Sequence, residues 1–190
     1  MSGESENHDA VTADWAAAIL DFWFGQVGEQ GWWSHDPALD QSCRRFEPLW
    51  RERQALSAET FLDRADDALA AVILFDQLPR NMFRGEADAF ETDPLAREIA
   101  RGAVARGYDV QIGGAGRRFF YMPLMHSEAM DDQELSLTLF KGEGDAQSLD
   151  FARKHHAVIA RHGRFPGRNA ALGRATRPEE EAAIAETADW

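Results

Sequence analysis

The chain reads as a single all-helical domain. Apolar residues recur at helical spacing along nearly its whole length, almost nothing alternates as a strand would, and no Pro/Gly/Ser-rich linker divides it. Its 190 residues suffice for one domain with a real core. A composition of 44% hydrophobic and 11% aromatic residues excludes a disordered chain. The longest apolar run, 68–75, is too short to cross a membrane.

The first helix carries Trp15, Ile19, Phe22 and Trp23 on one stripe, and Gly25 is expected to end it. Asp36-Pro37 caps a second, with Leu39, Cys43, Phe46 and Trp50 along one face, so Cys43 reads as a core filler. The third, about 66–78, is apolar nearly all round and therefore central. Asp93-Pro94 opens a fourth that carries Leu95, Ile99 and Val104 and stops at Gly107. Asp131 and Glu134 suggest a fifth reaching Phe140, although residues 135–139 also alternate like a strand. A sixth spans roughly 148–162, and Thr176-x-x-Glu179 resembles a capping box for a short last helix.

The first ten residues, MSGESENHDA, are polar and acidic and are expected to be disordered (1–10) ahead of the domain (11–190). They have neither the basic start nor the apolar stretch of a signal or transit peptide, so a cytoplasmic location is expected. A lone Cys excludes an internal disulfide framework and a Cys-based zinc site. With 20 Lys+Arg against 33 Asp+Glu the net charge is −13, which disfavours nucleic acid and anionic membrane as partners. The acids are not evenly spread: residues 151–174 hold six basic side chains and no acid.

Polar residues placed where the pattern calls for carbon are the informative ones. On the third helix Leu69, Val72 and Ile73 define a face whose next position is Asp76, a carboxylate that needs a partner there. Arg80, Asn81 and Arg84 follow directly, on a turn that Pro79 is expected to open by ending the helix. This is either a buried ion pair locking the turn or a guanidinium site for a carboxylate or phosphate. On the sixth helix Phe151, His155, Val158, Ile159 and His162 share a face, a pattern usual for core histidines. That helix leads into Arg164-Phe165-Pro166-Gly167-Arg168-Asn169, a second Arg-rich exit with a Pro and an Arg-Asn pair.

Between them, His126 lies two residues from Glu128, a group titrating near neutral pH beside a carboxylate able to orient it; Ser127 as a helix cap is the other reading. Gly113-Gly114-Ala115-Gly116-Arg117-Arg118 lacks the third Gly of a dinucleotide fingerprint and the Lys of a P-loop, and reads as a flexible loop. Gly-x-Ser-x-Gly, His-Glu-x-x-His and EF-hand signatures are missing, and no His pair has i, i+4 spacing, so neither metal nor cofactor is expected.

Leu20-Asp21-Phe22-Trp23-Phe24-Gly25, Trp32-Trp33, the Asp76 to Gly85 turn, Met125-His126-Ser127-Glu128 and Arg164-Phe165-Pro166-Gly167-Arg168-Asn169 run in the same order as in bacterial domain-of-unknown-function family 924. The chain resembles that family over about 13–184. The resemblance implies a fold similar to tetratricopeptide repeats, built of antiparallel helix pairs, although no 34-residue consensus recurs in the sequence. It implies no activity. Members usually carry Phe and His where this chain has Leu78 and Gly167.

Two functions fit these residues. The first is a binding module whose Asp76, Arg80, Asn81, Arg84, His126, Glu128, Arg164, Arg168 and Asn169 form one pocket for a small anionic molecule or a carboxylate-ended peptide. The second is a small enzyme in which His126, oriented by Glu128 or Asp76, acts as general base on an Arg-held anionic substrate. Oligomeric state is not legible in the sequence.

Overall fold

The computed structural model describes residues 14–186, so the expected disordered lead at 1–10 lies outside them. Every regular element among the described residues is helical. Helix α1 begins at Trp15–Leu20, continues as a π-helical stretch Asp21–Val27 and closes with Gly28–Gly31. Then come α2 (Pro37–Cys43), α3 (Glu47–Arg53) and α4, which runs through Ala65–Val72, a π turn Ile73–Gln77 and Leu78–Met82. Next are α5 (Asp93–Ala105), α6 (Tyr108–Ile112), α7 (Gly114–Phe119) and α8 (Met122–Met125). The chain closes with α9 (Met130–Glu143), α10 (Ala146–His162) and α11 (Glu181–Glu186). Among the described residues no helix is long and apolar enough to cross a membrane.

Helix α4 is central, as its all-round apolarity requires: 68–79 is buried without a break. Helices α1, α2, α5, α6 and α7 pack around it, while α9 and α10 form an antiparallel hairpin that α8 joins to the rest. Asp36 caps α2 by accepting from the Ala38 N–H at 2.8 Å, and α5 stops at Gly107, whose φ of 73° only glycine adopts without strain. The 135–139 stretch is helix: α9 runs past Lys141-Gly142 and ends at left-handed Gly144.

Three expectations fail, each at a glycine or a proline. Gly25 does not end α1, because the π-helical stretch carries it forward and the Trp32 indole N–H then donates to Trp23 O at 2.7 Å. Pro79 does not end α4. It lacks the N–H that Phe75 O would accept four residues back, and that carbonyl takes a hydrogen bond from Thr92 Oγ1 at 2.7 Å. Thr92 in turn accepts from Trp50 Nε1 at 3.0 Å. The run from Gly113 to Arg118 is not a flexible loop but α7, with Gly113 and Gly114 turning the chain at positive φ. Gly116 packs so tightly that a Cβ would lie 2.7 Å from Ile112 Cγ2.

The last capping box falls one residue later than expected: Glu180, not Glu179, closes it, accepting from the Arg177 N–H at 2.9 Å.

Candidate functional site

The π turn in α4 sets Asp76 and Gln77 side by side on the buried face, and neither is more than 6% exposed. Asp76 is held on all sides. His126, just past α8, places Nδ1 2.8 and 3.0 Å from its two carboxylate oxygens; Gln77 Nε2 donates to Oδ2; Arg80 Nη1 lies 3.3 Å from Oδ1 and donates to the Asp76 carbonyl at 2.6 Å. Burial pushes the Asp76 carboxyl up, but Arg80, His126 and Gln77 together outweigh it and hold the group well below the usual carboxylate range.

Burial pulls His126 below its ordinary value, with Asp76 opposing. At neutral pH the imidazole is therefore neutral beside an ionised carboxylate. The proton must sit on Nδ1, which donates to Asp76, and Nε2 keeps its lone pair. The ring is 12% exposed and lines a cavity, and among the described residues Nε2 has no hydrogen-bond partner.

That cavity, of about 300 Å³, is enclosed by the turn after α1 (Trp32, Trp33, Ser34, His35), α4 and its exit (Gln77, Arg80, Asn81, Arg84), Arg118 of α7, Met122, Met125 and His126, Phe140 of α9, and Gln147, Ser148, Phe151 and His155 of α10. Among the described residues its wall holds three arginines, three histidines and no Asp or Glu. The floor is aromatic: Trp32 meets Phe119 edge-on at 5.0 Å and Phe24 at 5.4 Å. Trp33 at the mouth is 59% exposed. His155 donates from Nδ1 to Phe151 O at 2.9 Å, and burial, followed by the nearby His126, pulls its pKa to about 3.

The three cavity arginines differ in how firmly they are committed. Arg80 forks onto Asp93 at 2.9 and 3.0 Å, and Arg84 onto Asp40 at 2.9 and 2.7 Å. Arg118 has carboxylates near it, Glu143 at 3.5, Glu29 at 3.6 and Asp145 at 3.8 Å, too far for good hydrogen bonds. Its guanidinium is the one on the wall most able to take up a new partner.

Of the residues singled out from the sequence, Arg80, Asn81, Arg84 and His126 line the cavity, with Asp76 directly behind His126. The others lie outside the lining. Arg168 reaches the rear of the site, donating to Asp93 at 3.0 Å and to His126 O at 2.8 Å, and burial lowers its pKa to about 10. Arg164 and Asn169 both donate to the fully buried Glu180, at 2.7 and 3.0 Å. Glu128 accepts from Arg174 at 2.8 Å and from the Phe165 N–H at 2.7 Å, so Asp76 and not Glu128 is the carboxylate that touches His126.

Ser127 does organise the start of α9, accepting from the Ala129 N–H and donating to Asp132. Residues the sequence reading missed are Gln77, His35 and above all Arg118, hidden because its segment looked like a glycine loop. No cluster of three potential metal ligands occurs among the described residues.

Residues 19–188 match the model of DUF924, described as a bacterial protein of unknown function. The fold also matches a solved structure, ATU0120 from Agrobacterium tumefaciens, itself a protein of unknown function. The two share 38% identity at a TM-score of 0.83, over 92% of this chain and 99% of that one. A comparison with curated proteins gave no match.

Proposed function

Since the chain belongs to the DUF924 family of bacterial proteins of unknown function, its chemistry has to be argued from the cavity, and we propose that the cavity binds a small anionic molecule with an apolar body. One observation carries this reading: in a chain of net charge −13, the described residues of the cavity wall include three Arg, three His and no carboxylate. Local potential, not net charge, governs what a cleft concentrates. Arg118 is the anchor for the anionic group, and the Trp32, Trp33, Phe140 and Phe151 side chains receive the apolar part. A volume of about 300 Å³ suits a carboxylated or phosphorylated metabolite, or the last residue of a carboxylate-ended peptide. An acidic exterior turns away nucleic acid and anionic membrane, in keeping with a cytoplasmic small-molecule binder.

The test is a thermal-shift screen in matched pairs, each small carboxylate or phosphate beside its neutral amide or ester. The anionic members are expected to raise the melting temperature, by the equivalent of about 2.7 kcal/mol at a hundredfold excess over Kd. Arg118→Ala should abolish most of that rise. Equal stabilisation by the neutral partners, or an unchanged rise in Arg118→Ala, contradicts the proposal.

A further inference from the structure

The geometry points to His126 as a general base that activates water against an acyl ester within the bound anion, an inference that rests on the anion-binding reading above. A buried carboxylate fixes one ring nitrogen and the other is left on a cavity wall, which is the orienter and base arrangement of acyl-transfer sites. Asp76 is the positioning residue, since it touches His126 and does not line the cavity.

The nucleophile must come from solvent. Both serines on the wall already spend their hydroxyl protons elsewhere, Ser34 on Gly31 O at 2.9 Å and Ser148 on Asp145 at 2.5 Å. Cys43 is fully buried outside the lining, and burial pushes its thiol up to about 12. Nε2 takes one proton from water as the water oxygen bonds to the acyl carbon. That proton then passes to the departing oxygen as the acyl–oxygen bond breaks, giving acid and alcohol and returning the imidazole to its neutral form.

Between the two transfers the imidazolium faces ionised Asp76. The other charged groups nearby, Arg80 from α4, Arg168 from the 166–168 turn and Asp93 from α5, are paired among themselves, and His155 from α10 stays neutral. Behind the cavity wall, the surroundings of His126 thus hold two carboxylates against two guanidiniums before it is protonated, and Asp76 is the group positioned to offset the added charge.

The probes are 4-nitrophenyl hemisuccinate, an ester with a free carboxylate, and its unreactive amide, N-(4-nitrophenyl)succinamic acid. The amide is expected to bind, and the ester to be hydrolysed faster than in buffer with saturation. His126→Gln should lower kcat/KM by about 10²- to 10⁴-fold while the amide still binds. Asp76→Asn should lower kcat and displace the pH profile, which a merely structural change would not do. If these variants fold poorly, wild type suffices: the diethyl pyrocarbonate adduct that forms on His126, as distinct from those on the more exposed histidines, should coincide with loss of turnover, and the amide should protect that residue.

Binding of the amide without ester turnover, turnover that survives His126→Gln, or turnover that survives modification overturns the general base and leaves the anion site standing. Failure of the amide to bind overturns both.

Discussion

Asp76 stays ionised at zero exposure because each of its oxygens has a donor, whereas its neighbour His126 stays neutral because burial disfavours its charged form. These two shifts have a common sign in their effect on folding. The unfolded imidazoles of His126 and His155 take up protons below about 6.5, whereas the folded ones do not, His155 holding out to about 3. Their stabilising contribution is present above that pH and is lost as the pH falls. Asp76, held low when folded, contributes above about 3.9 and loses its contribution below. Calorimetry from pH 7.5 to 3 should therefore show the melting temperature declining from about 6.5 downward and steepening below about 4. His155→Gln should flatten the upper part of that decline; an unchanged curve would show that His155 is not kept neutral. The position of Asp76 was legible in the sequence, because it continued a face of Leu69, Val72 and Ile73. Its partner was legible only as one of two alternatives, because His126 lies 50 residues further on and Glu128, two residues away, competed for the same role.

In α4 a π turn and a proline work together. The carbonyl that Pro79 leaves open is closed by Thr92, which also accepts from Trp50, so one hydroxyl ties α4 to α3 and to the start of α5. Thr92→Val strands a buried indole N–H and a buried carbonyl and is expected to cost about 1–3 kcal/mol in urea denaturation. Thr92→Ser keeps the hydroxyl and should cost clearly less. Gly116→Ala drives a Cβ into Ile112 and to 3.3 Å from Leu69, and should cost about 1–3 kcal/mol by the same measurement. Periodicity made α4, α5 and α10 legible as helices because it records which faces are buried. It left the continuation past Gly25 and Pro79, and the helix at Arg118, invisible. There the deciding contacts, from Trp32, Thr92 and Leu69, come from elsewhere in the chain, while local rules see only a glycine or a proline.

Charge is arranged by enclosure more than by sequence position. The acid-free stretch 151–174 looked like half of an anion site, yet Arg164, Arg168 and Arg174 turn inward onto Glu180, Asp93 and Glu128. Asp93 lies 75 residues from Arg168, a pairing that no inspection of neighbouring residues reveals. Glu180→Gln should consequently lower the melting temperature more than Asp40→Asn, whose partner Arg84 sits at the solvent edge. The arginines that do line the cavity are Arg80, Arg84 and Arg118, from α4, its exit and α7, and of these Arg118 is the least tightly paired.

Quenching of the Trp33 indole, at the cavity mouth, tests this local reversal of charge without any knowledge of the ligand. Iodide and caesium are compared at constant ionic strength, and the signal of Trp33 is isolated as the difference between wild type and Trp33→Phe. A cationic cavity requires iodide to quench that difference signal more efficiently than caesium, and requires the preference to shrink in Arg118→Ala. Caesium quenching as well as or better than iodide, as a net charge of −13 alone would dictate, would contradict the account.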